Sequence, residues 1–220
     1  MLKPPTLQFL KQLEKNNNKS WFDSHRKEYD SAREDFTFMV TGLISGIAGF
    51  DKPIGHLMAK ECLFRINRDV RFSKDKRPYK NNLAAYFNKG GKKSNGSGYY
   101  LHVEPGKSFA AGGIWMPEPE VLNHIRQEID YSFTDFKKIL SSGPFKKTFA
   151  NGLAMGESLK RPPKGYDENN PAIEYIKMKS FVASKPIDDK DLLNKNAVKE
   201  ITSIFNTMKP LIDFINRAVD

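Results

Sequence analysis

The sequence predicts an α+β fold: a mainly antiparallel sheet of about five strands, packed with long amphipathic helices at the N- and C-termini. Two observations predict it. Apolar residues recur every three or four positions near both ends of the chain, whereas apolar and polar residues alternate in its middle. No internal repeat or low-complexity linker divides the 220 residues, so a single α+β domain over residues 1–220 is expected.

The first predicted elements are helices. Residues 6–14 carry an apolar stripe of leucines and a phenylalanine, and Thr6 is placed to cap this helix. After three asparagines, Ser20 and Asp23 have the spacing of a capping box. Apolar residues then repeat at intervals of three and four, which predicts one long amphipathic helix from there to Gly49.

The middle of the chain has the pattern of strands and turns. Residues 58–72 alternate in a window rich in Phe, Ile and Val, which favours a half-buried strand, and residues 73–78 are expected to form a loop after it. Pro105-Gly106 is a strong turn signal between two further segments. The predicted strands of this region cover residues 58–72, 82–87, 99–104 and 108–115.

Helices return after the predicted hairpin. Pro119 suits the first turn of one helix, and Ser132 opens a second helix that Gly143-Pro144 closes. The remaining predicted elements are a short helix over residues 171–177, an edge strand over residues 180–186 and a C-terminal helix over residues 196–218.

Composition excludes several classes of protein and site. The single cysteine, Cys62, leaves no internal disulfide and no Cys-rich zinc site, and the four histidines are scattered. No phosphate loop, dinucleotide fingerprint or nucleophile elbow is present, so we expect no metal and no cofactor. No apolar run approaches the roughly 18–20 residues of a membrane span, and the N-terminus lacks a secretory signal. A cytoplasmic protein is therefore the expectation.

The positive charge is concentrated in one segment. The net charge is +10, and between Lys60 and Lys93 eleven basic residues face three acidic ones, a local charge of +8. Such a segment attracts phosphates, nucleic acid, acidic proteins or anionic lipid. The alternative is a solvated basic face that only aids solubility.

The most basic part of this segment predicts an anion site. On one face of the predicted strand, Arg65, Asn67, Asp69 and Arg71 would stand about 7 Å apart and hold an anion between two guanidiniums, with Asp69 orienting one of them. Arg68 falls on the apolar face, where it needs a carboxylate, the sheet's rim or a ligand. The alternative is a structural ion-pair network with Asp69, Asp75, Glu61 or Glu104 as partners. The candidate ligand-binding residues are Arg65, Arg68, Arg71, Lys74, Lys76, Arg77, Tyr79 and Lys80.

The predicted hairpin supplies a second wall for a site. Tyr100, His102 and Glu104 share one face of their strand, and the small residues 110–113 opposite them let a backbone or ligand come close. A pocket over these small residues, rimmed by His102, Glu104 and Trp115, is the prediction. Trp115 joins the ligand-binding candidates, and His102 and Glu104 are the catalytic candidates. Alternatively, the small residues accommodate a helix packed on the sheet.

Several segments together resemble a known family. The chain is similar to the conserved-hypothetical family catalogued as domain of unknown function 2461, over nearly its whole length from about Leu7 to Val219. The resemblance implies one domain that spans the chain, and it implies no activity, cofactor or catalytic residue. The segments that carry it are residues 64–80, 98–106, 111–115, 159–166 and 179–181.

Three functions stay open, and whether the protein is an enzyme is among the open questions. The first is an anion-binding domain for nucleic acid or a phosphorylated ligand, which uses residues 65–80 and base stacking on aromatic side chains. The second is an enzyme on an anionic small molecule, with His102 or Glu104 as acid or base. The third is an interaction module that docks an acidic protein partner. The expected stacking aromatics are Tyr79, Tyr86, Tyr99 and Tyr100.

Overall fold

A computed structural model describes residues 1–92, 94–154 and 156–219 of the chain. In this part of the chain, ten α-helices and one 3-10 helix accompany a single antiparallel sheet whose four strands lie in chain order. The mixed fold with an antiparallel sheet is thereby confirmed, but the strands number four rather than about five. They are β1 (Leu83–Phe87), β2 (Gly98–Val103), β3 (Phe109–Ile114) and β4 (Phe181–Pro186).

The N-terminal helices differ from the prediction at their caps. Thr6 does not cap the first helix, because that helix begins at Pro4, after Lys3. The buried hydroxyl of Thr6 instead donates to Asp35 at 2.6 Å. The cap of the second helix is Asn18 rather than Ser20, because the Asn18 side chain accepts from the backbone of Trp21. The long helix predicted to run to Gly49 is interrupted at His25, which is the N-cap of the third helix. Two helices therefore replace the one predicted. These helices are α1 (Pro4–Lys15), α2 (Lys19–Ser24) and α3 (Arg26–Ala48).

The predicted strand over residues 58–72 is wrong. After the 3-10 helix Lys52–His56, the chain forms a helical turn, α4 (Ala59–Cys62), which begins where the Glu61 carboxylate accepts the backbone N–H of Met58 at 2.7 Å. Beyond Cys62 the segment pairs only at isolated antiparallel bridges, Leu63 with Ala85 and Asn67 with Tyr79. The alternation of apolar and polar residues in this segment therefore belongs to irregular backbone and not to a strand.

The second half of the chain follows the prediction more closely. Gly143-Pro144 does not simply end a helix, because it forms the first turn of the next one, where proline loses no hydrogen bond. The predicted edge strand is confirmed as β4, which is the last strand in the sheet order. The helices of this half are α5 (Pro119–Tyr131), α6 (Phe133–Ser141), α7 (Gly143–Thr148), α8 (Ile173–Ile176), α9 (Asp189–Leu192) and α10 (Ala197–Arg217).

The described residues fall into two compact units. The first contains residues 1–92, 100–110 and 186–203, and the second contains the described residues within 93–99, 111–185 and 204–220. Four elements, β2, β3, β4 and α10, contribute residues to both units. The expected single domain over residues 1–220 stays a prediction.

Each unit has its own apolar core. In the first, α1 packs against α3, and the facing side chains of Leu10, Leu13, Phe36 and Met39 are buried. In the second, aromatic rings meet in pairs, with the ring centres of Phe136 and Phe214 5.1 Å apart and those of Tyr99 and Phe205 5.3 Å apart. None of the helices in the described part of the chain is long and apolar enough to cross a membrane.

Candidate functional site

Residues 65–80 form a two-limbed loop of the first unit, which we call the basic loop. Its limbs are paired through backbone hydrogen bonds from Arg68 N to Pro78 O (2.9 Å) and from Lys80 N to Ile66 O (2.8 Å). Because this backbone is not one strand, the predicted row of Arg65, Asn67, Asp69 and Arg71 along a strand face is not formed. The seven basic and two acidic residues of the loop give it a charge of +5.

One end of the basic loop is anchored by residues distant in sequence. The Asn17 side chain donates to the carbonyl of Tyr79 and accepts from its N–H, both at 3.0 Å. The Tyr79 ring is buried and stacks on Phe22, with ring centres 4.0 Å apart. The structure thus places Tyr79, a candidate ligand-binding residue, in the core of the first unit.

Two arginines of the basic loop are held by the aspartate two positions before them. The Asp69 carboxylate accepts from Arg71 Nε at 3.0 Å and from Nη2 at 2.7 Å, and Asp75 accepts from Arg77 Nε and Nη2 at 3.1 and 2.8 Å. In each pair the same carboxylate also accepts the backbone N–H of the arginine. The repeated Asp-x-Arg sequence therefore builds the same fork twice, and the two arginine side chains remain 76% and 51% exposed.

Both forks are ionised at neutral pH. Hydrogen bonds from the Arg71 side chain and backbone hold the pKa of Asp69 below its usual range. Hydrogen bonds from the side chain and backbone of Arg77, and then from Arg68, lower the pKa of Asp75 much further. In return, Asp69 raises the pKa of Arg71 and Asp75 raises that of Arg77. Each guanidinium is therefore charged and fixed in direction.

Arg68 has a structural partner. Its Nη1 donates to Asp75 at 2.6 Å and to the carbonyl of Arg77 at 3.3 Å, so that it ties one limb of the basic loop to the other. This is the ion pair that the structural alternative requires for Arg68. The predicted ligand contact of Arg68 stays a prediction.

The remaining cations of the segment have different surroundings. Arg65 and Lys74 are exposed, whereas Lys76 donates to the carbonyl of Val70 at 3.0 Å. Burial, and secondarily Arg65, lower the pKa of Lys80. The Lys80 ammonium lies 5.4 Å from the centre of the Phe64 ring. Lys93, the last basic residue of the predicted segment, lies outside the described residues.

The three side chains predicted to share a strand face form a hydrogen-bonded row, with Tyr100 and His102 in β2 and Glu104 just after its end. The Tyr100 hydroxyl lies 3.1 Å from His102 Nδ1, and His102 Nε2 lies 3.0 Å from Glu104 Oε2. Because a carboxylate only accepts, Nε2 carries the proton of the neutral imidazole, and Nδ1 accepts from Tyr100. The Asn82 amide nitrogen, 3.4 Å from Nδ1, agrees with that assignment.

The side chains of this row are shielded from solvent and held in place by their neighbours. The side chains of His102 and Glu104 are each 15% exposed. The His102 ring stacks on Phe109 with centres 4.8 Å apart, and Glu104 Oε1 accepts from Asn81 at 3.1 Å and from Lys107 at 3.2 Å. Burial opposes ionisation of Glu104, but hydrogen bonds from His102 and Lys107 outweigh it and lower the pKa.

Neighbouring elements fill part of the space over residues 110–113, and a pocket beside His102, Glu104 and Trp115 stays a prediction. A Cβ placed on Gly112 would meet the sulfur of Met208 in α10 at 2.5 Å, so this helix already covers that part of β3. Gly113 has a φ of 130° and would place a Cβ 1.9 Å from the carbonyl oxygen of Phe181 in β4. Gly112 and Gly113 thus allow close packing of α10 and β4, as the alternative interpretation expects.

Comparison with known proteins identifies the family. A family model described as conserved hypothetical protein (DUF2461) matches residues 5–214. The chain belongs to the DUF2461 family. No curated protein and no solved structure matches the chain. The description of the family names no reaction and no ligand.

Sequence reasoning missed two exposed aromatic residues of the DUF2461 chain. Phe72 is 96% exposed in the basic loop and Phe64 is 42% exposed just before it. Of the expected stacking aromatics, Tyr99 is fully buried, and burial raises the pKa of Tyr86 to about 12. Trp115 is exposed in the second unit. Phe72 could have been noticed because it follows Arg71 in a segment too polar to bury it.

A metal site is not evident in the described part of the DUF2461 chain. There, no three His, Cys, Asp or Glu side chains are grouped so that they could hold a metal ion. Cys62 is buried, and burial raises the pKa of its thiol to about 11. The arrangement therefore offers two kinds of chemistry, oriented cations in the basic loop and a hydrogen-bonded row of Tyr100, His102 and Glu104 at β2.

Proposed function

We propose that this DUF2461 protein binds anionic ligands that carry phosphate, either nucleic acid or a phosphorylated compound, through the basic loop. The observation that carries the proposal is the pair of Asp–Arg forks at residues 69–71 and 75–77. Each fork fixes a charged guanidinium in an exposed position.

The geometry of the forks suits phosphate. The carboxylate engages the Nε and Nη2 side of each guanidinium, which leaves the Nη1 side outside the pair. An oriented guanidinium loses less conformational entropy on binding than a mobile one, and its planar donors match phosphate oxygens. The charge of +5 on the loop keeps the local field attractive to anions despite the two carboxylates.

The test measures binding of inorganic polyphosphate by titration calorimetry. The double variant Arg71→Ala/Arg77→Ala is expected to bind about ten-fold more weakly or worse, because each lost contact is a hydrogen bond between charged groups. The matched control, Lys195→Ala/Lys199→Ala, removes two exposed positive charges from the same unit outside the loop. Equal losses in both double variants, or no binding by the unaltered chain, would reject the proposal.

A second candidate function is catalysis on an anionic small molecule. It is favoured by the row of Tyr100, His102 and Glu104, in which the imidazole accepts a hydrogen bond from the phenol and the carboxylate would stabilise an imidazolium. His102 would be the acid or base and Glu104 the group that orients it.

A crystal soaked with tungstate, a phosphate mimic, distinguishes the two candidates. Tungstate within hydrogen-bond distance of the row supports catalysis. Tungstate found only on the basic loop would support anion binding and contradict catalysis by the row.

A further inference from the structure

Phe72 lies between the two Asp–Arg forks of the basic loop and is almost fully exposed. Its ring is 96% exposed, and Arg71 Cζ lies 5.9 Å from its centre. Burying a phenylalanine stabilises a fold, and the protein gains no such stabilisation at this position. The ring is thus presented to solvent beside the Arg71 guanidinium, which Asp69 fixes in direction.

Phe64 repeats this combination of an exposed ring and nearby cations. Lys80 Nζ lies 5.4 Å and Lys92 Nζ 5.8 Å from the centre of the Phe64 ring. Its ring also contacts Tyr100 edge-on, with centres 6.1 Å apart. Both exposed aromatics of the segment therefore have positive charge at their side.

We infer that Phe72 stacks on an unpaired base, so that the phosphate-bearing ligand of the basic loop is single-stranded nucleic acid. The inference rests on the proposed function and names its ligand class. A single strand presents phosphates and aromatic bases in alternation, and proteins bind it without sequence preference by pairing cations with aromatic platforms. Phe72 beside Arg71 supplies one such pair, and Phe64 beside Lys80 and Lys92 supplies a second.

A lipid surface fits these residues less well. Within the basic loop, all of whose residues the structure describes, Phe72 is the one large apolar side chain that is exposed. Interfacial anchors bury an apolar face built from several such side chains. Phe72 beside the Arg71 guanidinium matches one base better than a bilayer, and Phe64 beside Lys80 and Lys92 matches a second base. Duplex nucleic acid is also disfavoured as the ligand of the ring, because its bases are stacked on one another.

The test compares three substitutions by fluorescence anisotropy with a labelled oligo(dT) and a duplex of equal length. Phe72→Leu keeps an apolar side chain without an aromatic face, Phe72→Trp keeps the aromatic face, and Phe38→Leu changes an exposed phenylalanine on α3 as a control. We expect Phe72→Leu to weaken oligo(dT) binding about five-fold or more. Phe72→Trp and Phe38→Leu should bind as the unaltered chain does, and duplex affinity should not change among the three.

Each other outcome has a defined meaning. Oligo(dT) binding that Phe72→Leu leaves unchanged overturns the stacking role of Phe72. If the protein binds inorganic polyphosphate but not oligo(dT), the inference fails and the proposed function stands; if it binds neither, both fail. If the unaltered chain binds phosphatidylserine vesicles but not oligo(dT), and Phe72→Leu still binds the vesicles, the ligand is a lipid surface and not nucleic acid.

Discussion

Asp75 is the residue on which two arginines of the basic loop converge. It accepts from Arg77 and from Arg68, and so it holds one fork and joins the two limbs. Its removal has two opposite physical consequences. The loop becomes more positive, which strengthens attraction of any anion, and Arg77 loses its orientation, which weakens a specific contact.

The variant Asp75→Asn distinguishes the effect of the loop's net charge on binding from the effect of orienting Arg77. We expect it to weaken polyphosphate binding by about three- to ten-fold although it adds net positive charge, because the fork pre-orients Arg77. Glu200→Gln makes the same charge change at an exposed position of α10 in the same unit and should leave affinity unchanged or slightly higher. Calorimetry measures both variants. Tighter binding by Asp75→Asn would show that the loop acts only through its charge.

The lowered pKa of Asp75 also predicts how the stability of the fork depends on pH. Its pKa is lowered in the folded chain, so the ion pair contributes stability above the unfolded-state pKa and loses it as pH falls through the lower folded-state value. The fork is therefore expected to persist through weakly acidic pH. The carboxyl ¹³C shift of Asp75 followed against pH measures this, and in Arg77→Ala the pKa should rise toward its ordinary value. An unchanged titration in that variant would contradict the fork.

At the scale of single elements, local signals were sufficient for some predictions and not for others. The hairpin of β2 and β3 was predicted because Pro105-Gly106 carries its own turn chemistry, and Gly106 has the positive φ of 73° that the turn needs. The same hairpin placed Tyr100, His102 and Glu104 on one face. Those three residues were correctly grouped because a period of two is fixed by strand geometry alone.

The basic loop could not be predicted, because distant residues determine its path. Alternation over residues 58–72 favours a strand, but a Glu61 cap forms a helical turn there, and Asn17 binds the backbone of Tyr79 from 62 residues away. Arg68 then pairs with Asp75 across the loop. The contact of Asn17 with Tyr79 lies outside any window of neighbouring residues. The repeated Asp-x-Arg spacing was visible in the sequence and was the missed local signal.

Two glycines of α3 make a matched pair for testing how this helix packs in the first unit. A Cβ on Gly46 would lie 2.5 Å from Thr202 Oγ1 of α10, whereas a Cβ on Gly42 would lie 3.4 Å from Val198. Gly46→Ala should lower the free energy of unfolding by about 1–3 kcal/mol through overpacking. Gly42→Ala should raise it by up to about 1 kcal/mol, because alanine favours a helix. Urea unfolding followed by circular dichroism measures both, and Thr202→Ala should restore part of the loss in Gly46→Ala.

For the whole molecule, the open question is whether the two compact units unfold as one domain. We propose that they do, because β2, β3, β4 and α10 each contribute residues to both units. One unit cannot lose these elements while the other keeps them whole, and small single domains unfold in one cooperative transition. The family match over residues 5–214 includes parts of both units and agrees with this proposal.

Pulsed hydrogen exchange at increasing urea tests cooperativity by reading α3 in the first unit and α5 in the second. In the unaltered chain, both helices should lose protection at the same urea concentration. Gly46→Ala perturbs only the first unit directly, yet it should shift the midpoint of α5 as far as that of α3; Gly42→Ala, which carries no clash, controls for the substitution itself. A midpoint of α5 that stays fixed while that of α3 falls would divide the chain into two independently folding domains. The basic loop and the row on β2 would then belong to the first domain alone, because residues 65–80 and 100–104 lie entirely within the first unit.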